Sequence, residues 1–159
     1  MTGYIASITI AAREGGELIE LSQDYLIPDQ GIEGDRYCQP ASPPNVNQIS
    51  LVESEVVADF AAKFRLDMQP IELRRNIVTQ GISLNDLVGK RFLLGMVEAI
   101  GTELAEPCRG IAESIIANHQ LENVTAKEIV SSLVHRGGLY ARMVQGGLIK
   151  SSDSIQVLP

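Results

Sequence analysis

One thiol is the first candidate for chemistry in this chain. Cys108 lies in Pro107-Cys108-Arg109-Gly110, just ahead of a stretch from Ile111 to Asn118 that reads as a helix. A sulfur at or before a first helical turn meets unsatisfied amides and the positive end of the helix dipole, a setting that favours an anion. Arg109 would act in the same direction, whereas Glu103 and Glu106 would oppose it if they point the same way. The competing expectation is a small buried hydrophobe, the commoner fate of a free cysteine. Position alone does not separate the two.

Two cationic segments could complete a site. Gly34-Asp35-Arg36-Tyr37 is a tight turn that sets an acid, a base and a phenol side by side. It can close on itself as an Asp35–Arg36 pair, or present Arg36 to an anionic ligand. In Arg74-Arg75-Asn76 two adjacent guanidinium groups repel each other unless something negative faces them. An anionic ligand would serve, with amide hydrogen bonds from Asn76, and so would an acid such as Glu72. The choice of nine Arg against four Lys suits planar, bidentate contacts with phosphate or carboxylate, although ordinary surface composition also accounts for it. His119 follows a helix C-terminus, where a cation is favoured, and His135 precedes a glycine pair; neither has an evident partner. The two cysteines and two histidines fall in no metal-ligand spacing, so a protein-only metal cage is not expected. There is no Gly-x-Ser-x-Gly elbow and no Gly-x-x-x-x-Gly-Lys phosphate loop.

Short strands and a few helices must position these groups. Tyr4 to Ala12 and Leu18 to Leu21 flank Gly15-Gly16 as a hairpin, and a long surface loop runs from Gly31 past Pro44. Gln48 to Val52 reads as a strand leading into an amphipathic helix from Glu53 to Phe64. Arg74 to Thr79 reads as a strand with a polar entrance, and Ser83 to Asp86 as one helical turn. Arg91 to Leu104 gives the strongest strand signal, a long apolar run in which Gly95 and Gly101 mark bulges or bends. Thr125-Ala126-Lys127-Glu128 is a capping box opening another helix. Leu139 to Val144 and Ser154 to Leu158 are further strands. Strands and helices do not alternate strictly, which disfavours a doubly wound parallel sheet. The expected fold is α+β, mainly β: a mostly antiparallel β-barrel with a few peripheral helices, formed by residues 1–159 as one domain.

The chain has 159 residues and a formal net charge of -7, which argues against a nucleic-acid backbone as partner. No apolar run reaches the roughly 18 residues of a membrane span. The start, Met1-Thr2-Gly3-Tyr4, lacks the basic flank and apolar core of a secretory signal. The expected compartment is the cytoplasm, where two cysteines stay reduced.

The pieces also occur in a known order. Gly34-Asp35-Arg36 precedes Arg74-Arg75-Asn76-Ile77-Val78, then Leu87-Val88-Gly89-Lys90-Arg91-Phe92-Leu93-Leu94-Gly95 and Glu106-Pro107-Cys108. Gly138-Leu139-Tyr140-Ala141-Arg142-Met143-Val144 follows, with Gly147-Leu148-Ile149 closing on Asp153-Ser154-Ile155. Over nearly its whole length the chain resembles a MOSC domain, the module at the C-terminus of molybdenum cofactor sulfurases. The resemblance implies a strand-rich barrel that binds molybdenum cofactor, a pterin with a dithiolene and a phosphate. Members of that family transfer sulfur to the cofactor or, with bound molybdenum, reduce N-hydroxylated compounds.

On this resemblance Cys108 matches the family cysteine, which carries sulfur as a persulfide or ligates molybdenum. Both tasks need a thiolate. Asp35, Arg36, Arg75, Asn76 and Arg142 become the cofactor-binding candidates. The chain departs from the family at Tyr37, where His is common, and at Ser152-Asp153, where Gly-Asp is common. A module on its own needs a redox or sulfur-donor protein as partner besides its small-molecule substrate or cofactor. Three readings follow: an oxidoreductase, a sulfur carrier, and a binding module without chemistry. Pyridoxal phosphate is associated with some relatives. It requires a Schiff-base lysine, and Lys63, Lys90, Lys127 and Lys150 all sit in solvated contexts.

Overall fold

A computed structural model describes residues 2–159. The chain opens with β1 (Thr2–Ile10), β2 (Ile19–Leu21), β3 (Gln23–Ile27), β4 (Gly31–Ile32) and β5 (Ile49–Glu53). Helix α1 (Ser54–Phe64) leads to β6 (Ile77–Gln80), and β7 (Arg91–Leu94) and β8 (Val97–Leu104) follow. Helices α2 (Arg109–Asn118) and α3 (Ala126–Leu133) precede β9 (Leu139–Gln145), β10 (Gly147–Lys150) and β11 (Ser154–Val157). Single turns of 3-10 helix lie at Pro70–Leu73 and Leu84–Leu87.

Seven strands in the order β11-β7-β8-β9-β5-β6-β1 close into a barrel, because β1 pairs back onto β11. Every pair in the ring is antiparallel except β5 with β6. Parallel neighbours need a crossover, and α1 supplies it. β2 extends the wall beyond β1, and β3 with β10 and β4 makes a small second sheet. The mostly antiparallel barrel with outer helices is the architecture expected from the sequence.

Alternation fills the interior. Ile5, Ile49, Leu51, Ile77, Phe92, Leu94, Leu139 and Ala141 are all buried in one cluster, with polar or smaller neighbours between them. A second cluster covers part of the outside: Val52 of β5 and Val78 of β6 pack with Val57 and Phe60 of α1, Ile115 of α2 and Leu133 of α3. β5 is therefore buried on both faces, which is why its sequence is an almost unbroken apolar run.

The stretch from Arg91 to Leu104 is two strands rather than one. Gly95, at a φ of 58°, turns the chain so that β7 and β8 pair with each other. Gly101 is a bulge, since the register against β9 slips between Gly101 and Glu103. A Cβ there would stand 2.2 Å from the carbonyl oxygen of Leu87. The polar entrance of β6 also differs, for the strand begins only at Ile77, and Arg74 sits in the left-handed region at a φ of 57°. That bend turns Arg74 and Arg75 out of the sheet ladder, whereas the Asn76 carbonyl still accepts the Thr9 N–H of β1 at 2.7 Å. No helix among the described residues is long and apolar enough to cross a membrane.

Candidate functional site

Where the helical layer ends, the outward faces of β5, β6 and β9 stay open and carry polar side chains. Ser50, Asn76 and Tyr140 form this floor. The turn holding Arg36 and Tyr37, the loop between β1 and β2, and the start of α2 rise around it. They enclose a cavity of about 440 Å³, and Cys108 stands on its wall.

Cys108 is the N-cap residue of α2, with extended backbone, and its Sγ accepts the Ile111 N–H at 3.4 Å. The side chain is exposed, so the expectation of a buried hydrophobe fails. The two acids that could have opposed a charged sulfur are engaged elsewhere. Glu103 accepts from the Asn47 side chain at 2.6 Å. Glu106 accepts the backbone N–H of His135 and faces its ring Nδ1 at 2.9 Å, contacts that hold its carboxyl below the usual range. Cys38, the other thiol, lies off this cavity; burial first, then Asp35, Glu33 and Asp24, push it up and keep it protonated.

Arg36, Arg74 and Arg75 line the same cavity, with Glu14 as the single carboxylate residue on its lining. None has a carboxylate at ion-pair distance among the described residues. Glu72, the acid expected to pair with one of them, instead meets His119 Nε2 at 2.7 Å. Arg74 donates to the Gly16 carbonyl at 3.0 Å. Arg75 donates from Nε to Gly137 and from a terminal nitrogen to Ala105, at 3.0 and 3.1 Å, and its other nitrogen lies 3.5 Å from the Tyr140 hydroxyl. Carbonyls orient a guanidinium without cancelling its charge, so the cavity keeps a net positive wall.

Asp35 takes a different part from the one expected. It is 7% exposed, its two oxygens accept the backbone N–H groups of Ala11 and Tyr37, and it makes no ion pair with Arg36. It shapes the turn that presents Arg36 and does not line the larger cavity. Arg36 packs its guanidinium over the Tyr37 ring, 4.3 Å from the centroid, and donates to the Tyr37 hydroxyl. Asn76 knits the floor: its side-chain oxygen accepts from Ser50, and its nitrogen donates to the Thr9 carbonyl.

The structure thus brings together Cys108, Arg36, Arg75 and Asn76. Arg142 is not brought in, because it lies exposed opposite Ile100, away from the cavity. Sequence reasoning missed Tyr140, Ser50 and Ser114. Tyr140 shares a strand face with Arg142, two residues nearer the floor, so strand periodicity carried that signal. Ser50 is the polar residue within an apolar strand, and Ser114 lies one helical turn beyond Gly110. No lysine lines the cavity, and no cluster of three or more His, Cys, Asp or Glu able to hold a metal occurs among the described residues.

Comparison with known proteins agrees with this architecture. The chain superposes on the crystal structure of the YuaD protein from Bacillus subtilis with a TM-score of 0.86, at 21% identity, covering 99% of this chain and 96% of that one. YiiM from Geobacillus stearothermophilus gives a TM-score of 0.68 at 16% identity, over 99% of this chain and 75% of that one. YiiM from Escherichia coli gives 0.67 at 15%, over 100% and 70%. At such identities these likenesses establish the fold. No curated protein matches the chain. The family model for the MOSC domain matches residues 29–156, a span that includes every wall of the cavity except the loop between β1 and β2, and the chain belongs to the MOSC domain family, which is associated with binding of molybdenum cofactor.

Proposed function

We propose that this cavity binds molybdenum cofactor and that the protein is a molybdenum-dependent oxidoreductase acting on N-hydroxylated compounds, with Cys108 as the metal ligand. One observation carries the reading: an exposed, amide-capped sulfur shares a cavity with arginines that have no carboxylate partner. The donor set fits the group. Its phosphate and dithiolene are anionic, which suits guanidinium forks, and a thiolate is the soft ligand that such a metal prefers. The volume of about 440 Å³ falls within the roughly 300–1,000 Å³ of small-ligand sites. Bound there, the cofactor would supply two-electron redox chemistry at the metal.

The chain's own residues have distinct tasks. Arg36 and Arg75 would hold the anionic parts, Arg75 having donors to spare after its two carbonyl bonds. Asn76 and Ser50 keep the floor rigid by bonding to each other. Tyr140 receives a donor from Arg75, which leaves its own O–H free to donate into the cavity. Electrons would come from a partner redox protein, and the cytoplasm is the compartment in which both free thiols stay reduced.

Metal and pterin analysis of protein made in molybdenum-replete cells tests the reading. Molybdenum retained by the unsubstituted protein and lost in Cys108→Ser is expected; protein free of molybdenum under those conditions refutes it. The exposure of Cys108 also favours a second reading, a sulfur carrier. In that case a desulfurase moves sulfur from cysteine to the thiol, leaving alanine and a persulfide. Incubation would then add one sulfur mass at Cys108, and an unchanged mass would remove this reading.

A further inference from the structure

The floor of the cavity is a row that crosses four strands. Tyr140 of β9 lies opposite Ser50 of β5, Ser50 bonds to Asn76 just ahead of β6, and the Asn76 carbonyl accepts the Thr9 N–H of β1. At the usual strand spacing the row is about 14 Å long, and its two ends differ. The β9 end holds Tyr140, Arg75 and Cys108, which follows Ala105 by three residues; the Ala105 N–H donates to the Gly138 carbonyl just ahead of β9. The β1 end holds Arg36, whose backbone N–H donates to Ala11, and Arg74, whose side chain bonds to Gly16. Glu14 lines the cavity at this second end, in the loop that leaves β1, and makes no ion pair among the described residues. The turn that carries it is fixed in advance: the Gly16 N–H donates to the Arg13 carbonyl, and the Gly16 carbonyl accepts from Arg74. That turn precedes residue 29, where the match to the family model begins, so the family pattern does not account for Glu14.

A simple anion explains the arginines but not Glu14, which would repel it. A simple cation explains Glu14 but meets three arginines. A carboxylate and a guanidinium together suit an edge that carries donors and an acceptor side by side. The 2-amino-4-oxopyrimidine ring of a pterin has such an edge: its amino N–H and N3–H donate in parallel, and the neighbouring ring carbonyl accepts. The two oxygens of a carboxylate take two parallel N–H donors as they take an arginine fork. We propose that the β1 end of the cavity is a subsite for a pterin ring, in which Glu14 accepts the amino and N3 hydrogens and Arg74 donates to the ring carbonyl. Arg74 has donors to spare after its one bond to Gly16. The inference rests on the cofactor reading and adds an orientation to it. The cofactor carries its metal-binding sulfurs at one end and this ring at the other, as the row carries Cys108 near one end and Glu14 near the other. A turn already held by Arg74 loses little freedom when the ring binds.

The probes are pterin and lumazine, which differs in carrying a carbonyl where pterin has its 2-amino group. Each is titrated by its own fluorescence against protein made in cells that do not synthesise the cofactor. Pterin is expected to bind at least about tenfold more tightly than lumazine, the scale of one hydrogen bond to a charged group. Glu14→Gln is expected to weaken pterin binding about tenfold and to narrow the gap to lumazine. Its Tm should not change, because Glu14 is exposed and unpaired among the described residues. Pterin and lumazine bound alike, pterin not bound at all, or a pterin affinity unmoved by Glu14→Gln overturns the subsite. Molybdenum retained in replete cells alongside any of those results leaves the cofactor reading standing. Pterin bound as expected, with no molybdenum retained, refutes the cofactor reading and leaves the subsite.

Discussion

Arg75 offers the sharpest separation of a structural tie from an electrostatic one. Its guanidinium joins the carbonyls of Ala105 and Gly137, residues on either side of the α2–α3 segment, and lies over the Tyr140 ring at 5.7 Å. Arg75→Met removes both carbonyl bonds while keeping much of the side-chain volume. Hydrogen bonds to charged groups are worth about 1.5–3 kcal/mol each. The site is half-buried and water can replace part of what is lost, so a total of about 2–3 kcal/mol is expected, the 3.5 Å approach to Tyr140 adding little. For a domain of this size that is a fall in Tm of roughly 4–12 °C. Arg75→Lys keeps the charge but not the fork, so it should melt at an intermediate temperature while retaining more molybdenum than Arg75→Met. Calorimetry and metal analysis on the same preparations read both. If Arg75→Met melts within about 2 °C of the unsubstituted protein, the two carbonyl bonds do not hold the segment and the reasoning is wrong.

Other outcomes follow from the same geometry. Cys108→Ser should lose molybdenum yet leave Tm unchanged or slightly raised, because Ser is a better N-cap than the sulfur that now accepts from Ile111; Cys108→Ala should melt lower than Cys108→Ser. Burial raises the carboxyl of Glu53 although it accepts the Leu84 N–H, with Glu55 and Asp86 adding repulsion. The folded state therefore holds that proton more tightly than the unfolded chain, and the contribution of Glu53 falls as pH rises from the ordinary carboxylate range through the raised value. Glu53→Gln should flatten that part of a urea-melt pH series and be relatively more stable at neutral pH than at acid pH; an unchanged slope would contradict the assignment. Gly101→Ala should destabilise by at least about 2 kcal/mol, since its Cβ would meet a backbone carbonyl at 2.2 Å, and thermal melts read it directly.

Much of the fold was legible because its signals are local. Apolar alternation marked β1, a short apolar run marked β5, and the capping box at Thr125 and Glu128 forms as its spacing suggests. The run from Arg91 to Leu104 misled because Gly95-Met96 is a turn with no Asn or Asp to announce it, and the residues on both sides are apolar. In the site, residue type identified Cys108 and the arginines, but pairing depended on contacts distant in sequence. Glu72 meets His119 rather than an arginine, and Asp35 spends its oxygens on backbone amides, the nearest of them from Ala11 across the turn. Arg142 and Tyr140 share one strand face, and only the cavity's position along that strand decides which of them lines it.

The excursion from Ala105 to Gly137 departs from β8 and rejoins β9 at neighbouring positions, for Leu104 and Leu139 lie opposite each other in the ladder. Both feet of this excursion are stapled by one side chain. Its outer end, where α2 passes to α3 around residues 119–124, can be lengthened or shortened at little entropic cost without moving the departing foot. A sulfur three residues beyond such a foot inherits its address from the barrel, so relatives could restyle the helices beyond it for different partners and keep the same reactive atom in place.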